Sequence, residues 1–193
     1  MRGLYETFLA LMAACSAESM TEDQRHGFAA MLRQTGDWQD VSWAHGLTST
    51  LRQGSPLRER QARYRAALRD FFADGNLLIS PAAPVKAFPH DTELTRNWFS
   101  TITVNGITVR YNLLFFLPAM ASLTGFPATV FPCGNGPASG LPIGLQVMGA
   151  PMSDLSLIDF AALLAREMGG FRPPPLSETK GTSPKDLSIA QAG

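Results

Sequence analysis

The sequence predicts an α/β fold, a mixed β-sheet flanked by helices, from three observations. Apolar residues recur at three- and four-residue steps through the N-terminal part. Strict alternation on both sides of Asn105-Gly106 marks a β-hairpin. Two apolar runs, Ala128–Phe131 and Ile143–Met148, flank a glycine-rich connection and read as strands of one inner sheet.

The elements follow in order. A first helix is expected from Gly3 to about Ala14, with Leu4, Phe8, Leu11, Met12 and Cys15 on its inner face. Phe8–Cys15 (FLALMAAC) is a short apolar run, and Met12-Ala13-Ala14-Cys15 within it resembles a lipoprotein cleavage box. However, Glu6 interrupts its start, Arg2 is the only basic residue before it, and it is too short to span a bilayer. A core helix is therefore the expectation. Ser19 or Thr21 supplies a hydroxyl that can accept from the free amides of a second helix, which carries Phe28, Met31 and Leu32 and ends near Gly36. Between Asp40 and Gln53 the pattern is mixed, with Trp43 and Leu47 expected to be buried. Pro56 is expected to open a long helix with Leu57, Tyr64, Leu68, Phe71 and Phe72 inward, and Arg58, Arg60, Arg63, Arg65 and Arg69 in water.

From Asn76 the pattern changes. Leu77–Ser80, closed by Pro81, suits a short buried strand, and a Pro-rich loop through Pro84 and Pro89 follows. The hairpin at Asn105-Gly106 comes next and should project from the sheet, because both turn positions need positive φ and Asn and Gly tolerate it best. Tyr111–Leu123 is apolar nearly all round and reads as a buried helix that Pro118 bends or interrupts. Strands over Ala128–Phe131 and Ile143–Met148 are joined through Cys133–Gly140. A last helix capped by Ser153 or Asp154 runs to Met168 and stops at Gly169-Gly170. Residues 1–172 form the folded part, and 173–193, opening on a Pro-Pro-Pro run, read as a disordered tail.

Composition narrows the function classes. A length of 193 residues with 45% apolar content fits one domain with a real core. Zero formal net charge gives no field that would attract nucleic acid or an anionic membrane. Cys15 and Cys133 stand far apart, which argues for a reducing, cytoplasmic setting rather than a disulfide framework. His26, His45 and His90 are equally scattered, so neither a metal site nor a cofactor is expected.

The segment Phe126-Pro127-Ala128-Thr129-Val130-Phe131-Pro132-Cys133-Gly134, followed by Gly140-Leu141-Pro142-Ile143-Gly144-Leu145-Gln146, resembles the C-terminal hallmark of the amidase signature family. That family's pattern is a G-x-P-A strand ending in P-x-G, then G-L-P-x-G-L-Q and a hydrophobic strand. The resemblance implies the C-terminal portion of an amidase-signature fold and amide C–N hydrolysis to a carboxylate plus ammonia or an amine. It also implies that the helix from Tyr111 through Phe116 borders a substrate channel, making Tyr111, Asn112, Phe115 and Phe116 substrate-binding candidates. Leu113, Phe115 and Phe116 read equally well as plain core.

The departures concern chemistry. The family uses two serines in a Gly/Ser-rich stretch and an upstream lysine base, with backbone amides stabilising the oxyanion. This sequence has no Ser-Ser pair, its only Gly-Gly pair ends a helix, and its lysines are Lys86, Lys180 and Lys185. No catalytic residue is therefore assigned. Ser122 stands where many members carry Asn. His90-Asp91 as base and orienter is disfavoured, since adjacent loop residues rarely converge that way.

Three readings follow. In the first, Met1 is an internal methionine of a longer amidase, and the chain meets a small amide substrate only when an N-terminal portion completes it, self-associating otherwise. In the second, it is a non-catalytic domain that binds a small molecule or a partner. In the third, Cys133 serves as nucleophile.

Overall fold

The computed structural model describes residues 1–88, 98–137 and 139–173. Sequence expectations for Pro89, His90-Asp91, Lys180, Lys185 and the tail from residue 174 lie outside these residues.

Four helices build the first half: α1 (Arg2–Ser16), α2 (Glu22–Gln34), α3 (Trp38–Thr48) and α4 (Leu51–Ala73). Their starts are written locally. Thr21 accepts from the Gln24 amide at 3.2 Å while the Gln24 side chain takes the Thr21 amide at 2.9 Å, a reciprocal cap. Thr50 and Gln53 repeat the arrangement at the start of α4. This second cap corrects the expectation for Pro56, which lies inside α4 and does not open it. The helix is already running when the proline arrives, and Pro56 costs it one early hydrogen bond on an exposed face.

α1 is the central helix. Leu4, Phe8 and Leu11 meet Phe72, Met120, Leu123 and Phe126, while Tyr5 and Leu9 pack with Ala119, and Ala13 packs with Ala29, Leu32, Ala44 and Leu47. Met12 and Cys15, expected inward, are exposed, because α1 buries two adjoining faces and the stripe that carries these two falls outside both. Phe71 on α4 is likewise exposed, since Leu57, Tyr64, Leu68 and Phe72 already fill the inward face. Closest approach occurs between α1 and α3. A Cβ on Gly46 would stand 2.0 Å from the Ala10 carbonyl oxygen and 2.7 Å from the Ala13 Cβ, so only glycine lets the helices lie this close.

The second half holds two sheets. Strands β1 (Leu78–Pro81), β4 (Ala128–Asn135) and β5 (Pro142–Met148) form one antiparallel sheet in the order β1-β5-β4, so the two C-terminal strand runs share a sheet as expected. β2 (Thr101–Val104) and β3 (Ile107–Arg110) form the hairpin, with Asn105 at φ 50° and Gly106 at φ 81°. β4 runs further than expected, through a bulge at Cys133 between Pro132 and Gly134. Tyr111–Leu123 is two pieces and not one buried helix. A 3₁₀ turn (Tyr111–Phe115) leads to α5 (Pro118–Thr124), with Pro118 in the first turn, where its missing N–H costs nothing. Gly125 at φ 67° ends α5.

Pleating sends alternate residues of β5 to opposite sides. Met148 joins Leu78 against the helical half, while Val147 and Leu145 join Phe131 against α6 (Asp154–Glu167) through Leu157 and Ala161. Ser153 is the cap residue of α6, but its hydroxyl donates to the Ala150 carbonyl at 2.6 Å and does not cap the helix. Gly169 and Gly170, both at positive φ, end the turn beyond it.

Two outcomes test this packing. Gly46→Ala should destabilise the chain by about 1–3 kcal/mol, the range for overpacking, read as a fall in Tm of about 2–4 °C per kcal/mol at this chain length. The second concerns Tyr5, fully buried, whose phenol burial pushes well above its ordinary pKa of 10.0. A raised folded value means the stability it contributes is complete below that ordinary value and is lost as pH rises toward the folded one. Alkaline unfolding curves should show this loss, and Tyr5→Phe should flatten it at a cost of about 0.5–1.5 kcal/mol for the lost hydrogen bond.

Candidate functional site

The four substrate-binding candidates lie on the 3₁₀ turn and its cap. Three residues per turn put Leu113 and Phe116 on one side and Asn112 and Phe115 on another. Leu113 and Phe116 pack into the cluster of Tyr5, Leu9 and Ala119, with the Phe116 ring edge-on to Tyr5 at 5.2 Å. Phe115 is 51% exposed. Tyr111 is half-buried and meets the Phe88 ring edge-on at 6.3 Å. Asn112 offers its backbone carbonyl to the Tyr5 hydroxyl, which donates at 2.5 Å. The turn is thus pinned from below by a buried phenol and leaves Phe115 facing outward.

A buried ion pair sets where the turn begins. Asp40, on α3, is 1% exposed and accepts from Thr35 Oγ1 at 2.8 Å, Trp98 Nε1 at 2.9 Å and Arg110 Nη2 at 2.7 Å. Arg110 also donates to the Phe99 carbonyl at 3.1 Å and lies over the Phe99 ring. A carboxylate this deep is tolerable because three donors surround it, and removing one partner of such a pair costs about 3–5 kcal/mol. Arg110 is the last residue of β3 and immediately precedes Tyr111, so the pair fixes hairpin, turn and α3 together. Sequence reading missed Asp40 and Arg110 as partners. The available signal was a lone carboxylate among Trp38, Val41, Trp43 and Ala44.

The remaining candidates do not converge. Among the described residues Lys86 is the only lysine, and it is exposed. Cys133 is half-buried at the bulge, where its thiol donates to the Ile143 carbonyl at 3.4 Å and its side chain packs with Phe131, Val147 and Leu157. Gln146 is buried on the central strand between Ser80 and Val130. A cavity of about 410 Å³ opens where the β4–β5 connection meets the end of α6, lined chiefly by Pro132, Leu141, Pro142, Met168, Phe171 and Arg172. Among the described residues no helix is long and apolar enough to cross a membrane.

Known proteins share both the sequence and the fold. The A subunit of the glutamyl-tRNA(Gln) amidotransferase of Salinispora tropica is 37% identical over 111 residues, covering 56% of this chain and 20% of the relative. The chloroplastic/mitochondrial A subunit of Zea mays is 31% identical over 128 residues, covering 62% of this chain and 22% of the relative. The chain therefore spans about a fifth of the length of these relatives. An amidase crystal structure superposes with a TM-score of 0.63 at 22% identity, covering 86% of this chain and 35% of the other. A bacterial aryl acylamidase of the amidase signature enzymes gives 0.60 at 17% identity, covering 89% and 36%. These likenesses cover most of the chain and show a shared fold. The Amidase family model matches residues 16–158, most of the chain, and the chain accordingly belongs to the amidase family.

Proposed function

We propose that this chain supplies the sheet scaffold and one wall of the acyl pocket of an amide hydrolase, while the nucleophile and base come from another polypeptide segment. The reaction of the whole would be cleavage of an amide C–N bond to a carboxylate and ammonia or an amine. One observation carries this reading. The family's strand pair, Ala128–Asn135 with Pro142–Met148, is complete in a chain that has no Ser-Ser pair and whose one described lysine, Lys86, is exposed. Tyr111, Asn112, Phe115 and Phe116 form the pocket wall in this proposal. Their anchoring by Tyr5 and by the Asp40–Arg110 pair supports it, because a wall that orients substrate must itself be held rigidly.

Exposed apolar surface supports the need for a completing segment. Val130 lies directly opposite Gln146, on the sheet side that faces the helical half, yet is 58% exposed because the helices reach only the Met148 end. On α6 the outward side carries Leu155, at 78% exposure, with Ile158 and Leu163 also exposed. Single domains rarely leave contiguous apolar patches beyond a few hundred Å². Relatives named as amidotransferase subunits are consistent with a chain that works in company.

Two measurements test the reading. Purified chain should hydrolyse a panel of simple aliphatic and aryl amides no faster than background, since each absent oxyanion donor alone typically costs about 2.7–4 kcal/mol. Activity abolished by Cys133→Ser would overturn this and make the thiol the nucleophile. In size-exclusion chromatography the isolated chain should elute as self-associated species and should bind a hydrophobic dye. A dye-silent monodisperse monomer would refute the missing-segment reading.

A further inference from the structure

The outer face of α6 is apolar where a surface helix ordinarily turns polar side chains to water. Leu157, Ala161 and Leu164 hold the helix against the sheet. Leu155, Asp159, Ala162 and Arg166 follow one another at steps of four, three and four residues. At about 100° per residue they fall within about 60° of one another, on the side away from the sheet. All four are exposed, and so are Ile158 and Leu163, which flank them. Met152, in the turn before the helix, adds a further apolar side chain at that end and is 94% exposed. A contiguous apolar face on a folded chain marks an interaction site.

Its charges say what covers it. Asp159 and Arg166 lie seven residues apart, about 10.5 Å along the axis, too far to pair with each other. Neither has an oppositely charged residue three or four positions away on its own helix. Among the described residues neither takes part in an ion pair, and Arg166 Nε turns back to the Ala162 carbonyl at 3.3 Å. A second copy, laid antiparallel about a two-fold axis between Ala162 and Leu163, sets Asp159 of each copy against Arg166 of the other, twice. A parallel pairing would set like charge against like. Ala162, beside the axis, is small enough to let the two helices approach closely. Exposed ion pairs add little affinity, so these charges fix the orientation while Leu155, Ile158 and Leu163 supply the buried apolar area. The completing segment competes for this face, and the order of charges favours the second copy, which supplies the reverse order by symmetry alone. Val130 lies on the other side of the sheet and is left to the completing segment. We infer that the outer face of α6 is the interface of a two-fold dimer of this chain, with Asp159 and Arg166 paired across the axis. This inference is independent of the proposed hydrolytic role, because it rests on neither the pocket wall nor any nucleophile.

The test is sedimentation equilibrium of the intact chain over a range of concentrations, beside Asp159→Arg, Arg166→Asp and the double variant that carries both changes. A reversible monomer–dimer equilibrium is expected for the unmodified chain. Each single change sets like charges together at two places in a symmetric interface, so each should raise the dimer dissociation constant at least about tenfold. The double variant restores opposite charges and should return to within about threefold of the unmodified chain. Tm should stay unchanged throughout, since both positions are exposed. Association of equal strength in all four proteins overturns the inference; it leaves the missing-segment reading standing and gives the α6 face to that segment. A monomer at every concentration, or a double variant no better than the single ones, also overturns it.

Discussion

The distance between α1 and α3 is the constraint on which the helical half depends. Backbone approaches backbone where Gly46 meets Ala10 and Ala13, and no side chain larger than hydrogen fits there. That closeness brings Trp38 and Trp43 within reach of Tyr5 and lets Tyr5 extend to the Asn112 carbonyl. It also places Asp40, nearly two turns back along α3 from Gly46, where Trp98 and Arg110 can reach it. Small residues at one crossing thus position a phenol and a carboxylate. Those two groups hold the 3₁₀ turn that bears Tyr111 and Phe115. A buried polar network of this kind makes rigid what it holds when its members are all paired.

Local chemistry was legible in the sequence, and long-range geometry was not. Asn105-Gly106 announced its turn because the positive φ at both positions is a property of two adjacent residues. The strands over Ala128–Phe131 and Ile143–Met148, the Thr21 cap and the stop at Gly169-Gly170 were readable for the same reason. Pro56 misled because a proline that tolerates a first turn also survives deeper in a helix when a Thr50–Gln53 cap has already started it. Met12, Cys15 and Phe71 misled because periodicity gives a face without saying how many neighbours will cover it. The Asp40–Arg110 pair spans 70 positions, and no local pattern encodes it.

The candidate site shows how a family motif can carry architecture instead of chemistry. Gly144 lies where a Cβ would press on Val130 and Ala82, at 3.1 and 3.4 Å, so G-L-P-I-G-L-Q is written for close strand packing. Gln146 takes a buried place on the central strand, and Leu145 and Val147 feed the cluster beneath α6. The motif that marks the family thus encodes the way strands are paired. The catalytic question concerns other residues, and a motif search alone would merge the two.

The bulge at Cys133 has a bearing on how the chain behaves before it is fully folded. β4 is an outer strand among the described residues, and an outer strand is a template for pairing with another molecule. Its distal half is a poor template, since Pro132 lacks an N–H and the register jumps from Pro132 to Gly134. Its proximal half, Ala128–Phe131, has no such interruption, and it alternates without charge. The two halves of one strand are thus guarded unequally, and the edge left open to another strand is the short stretch Ala128–Phe131 between Pro127 and Pro132.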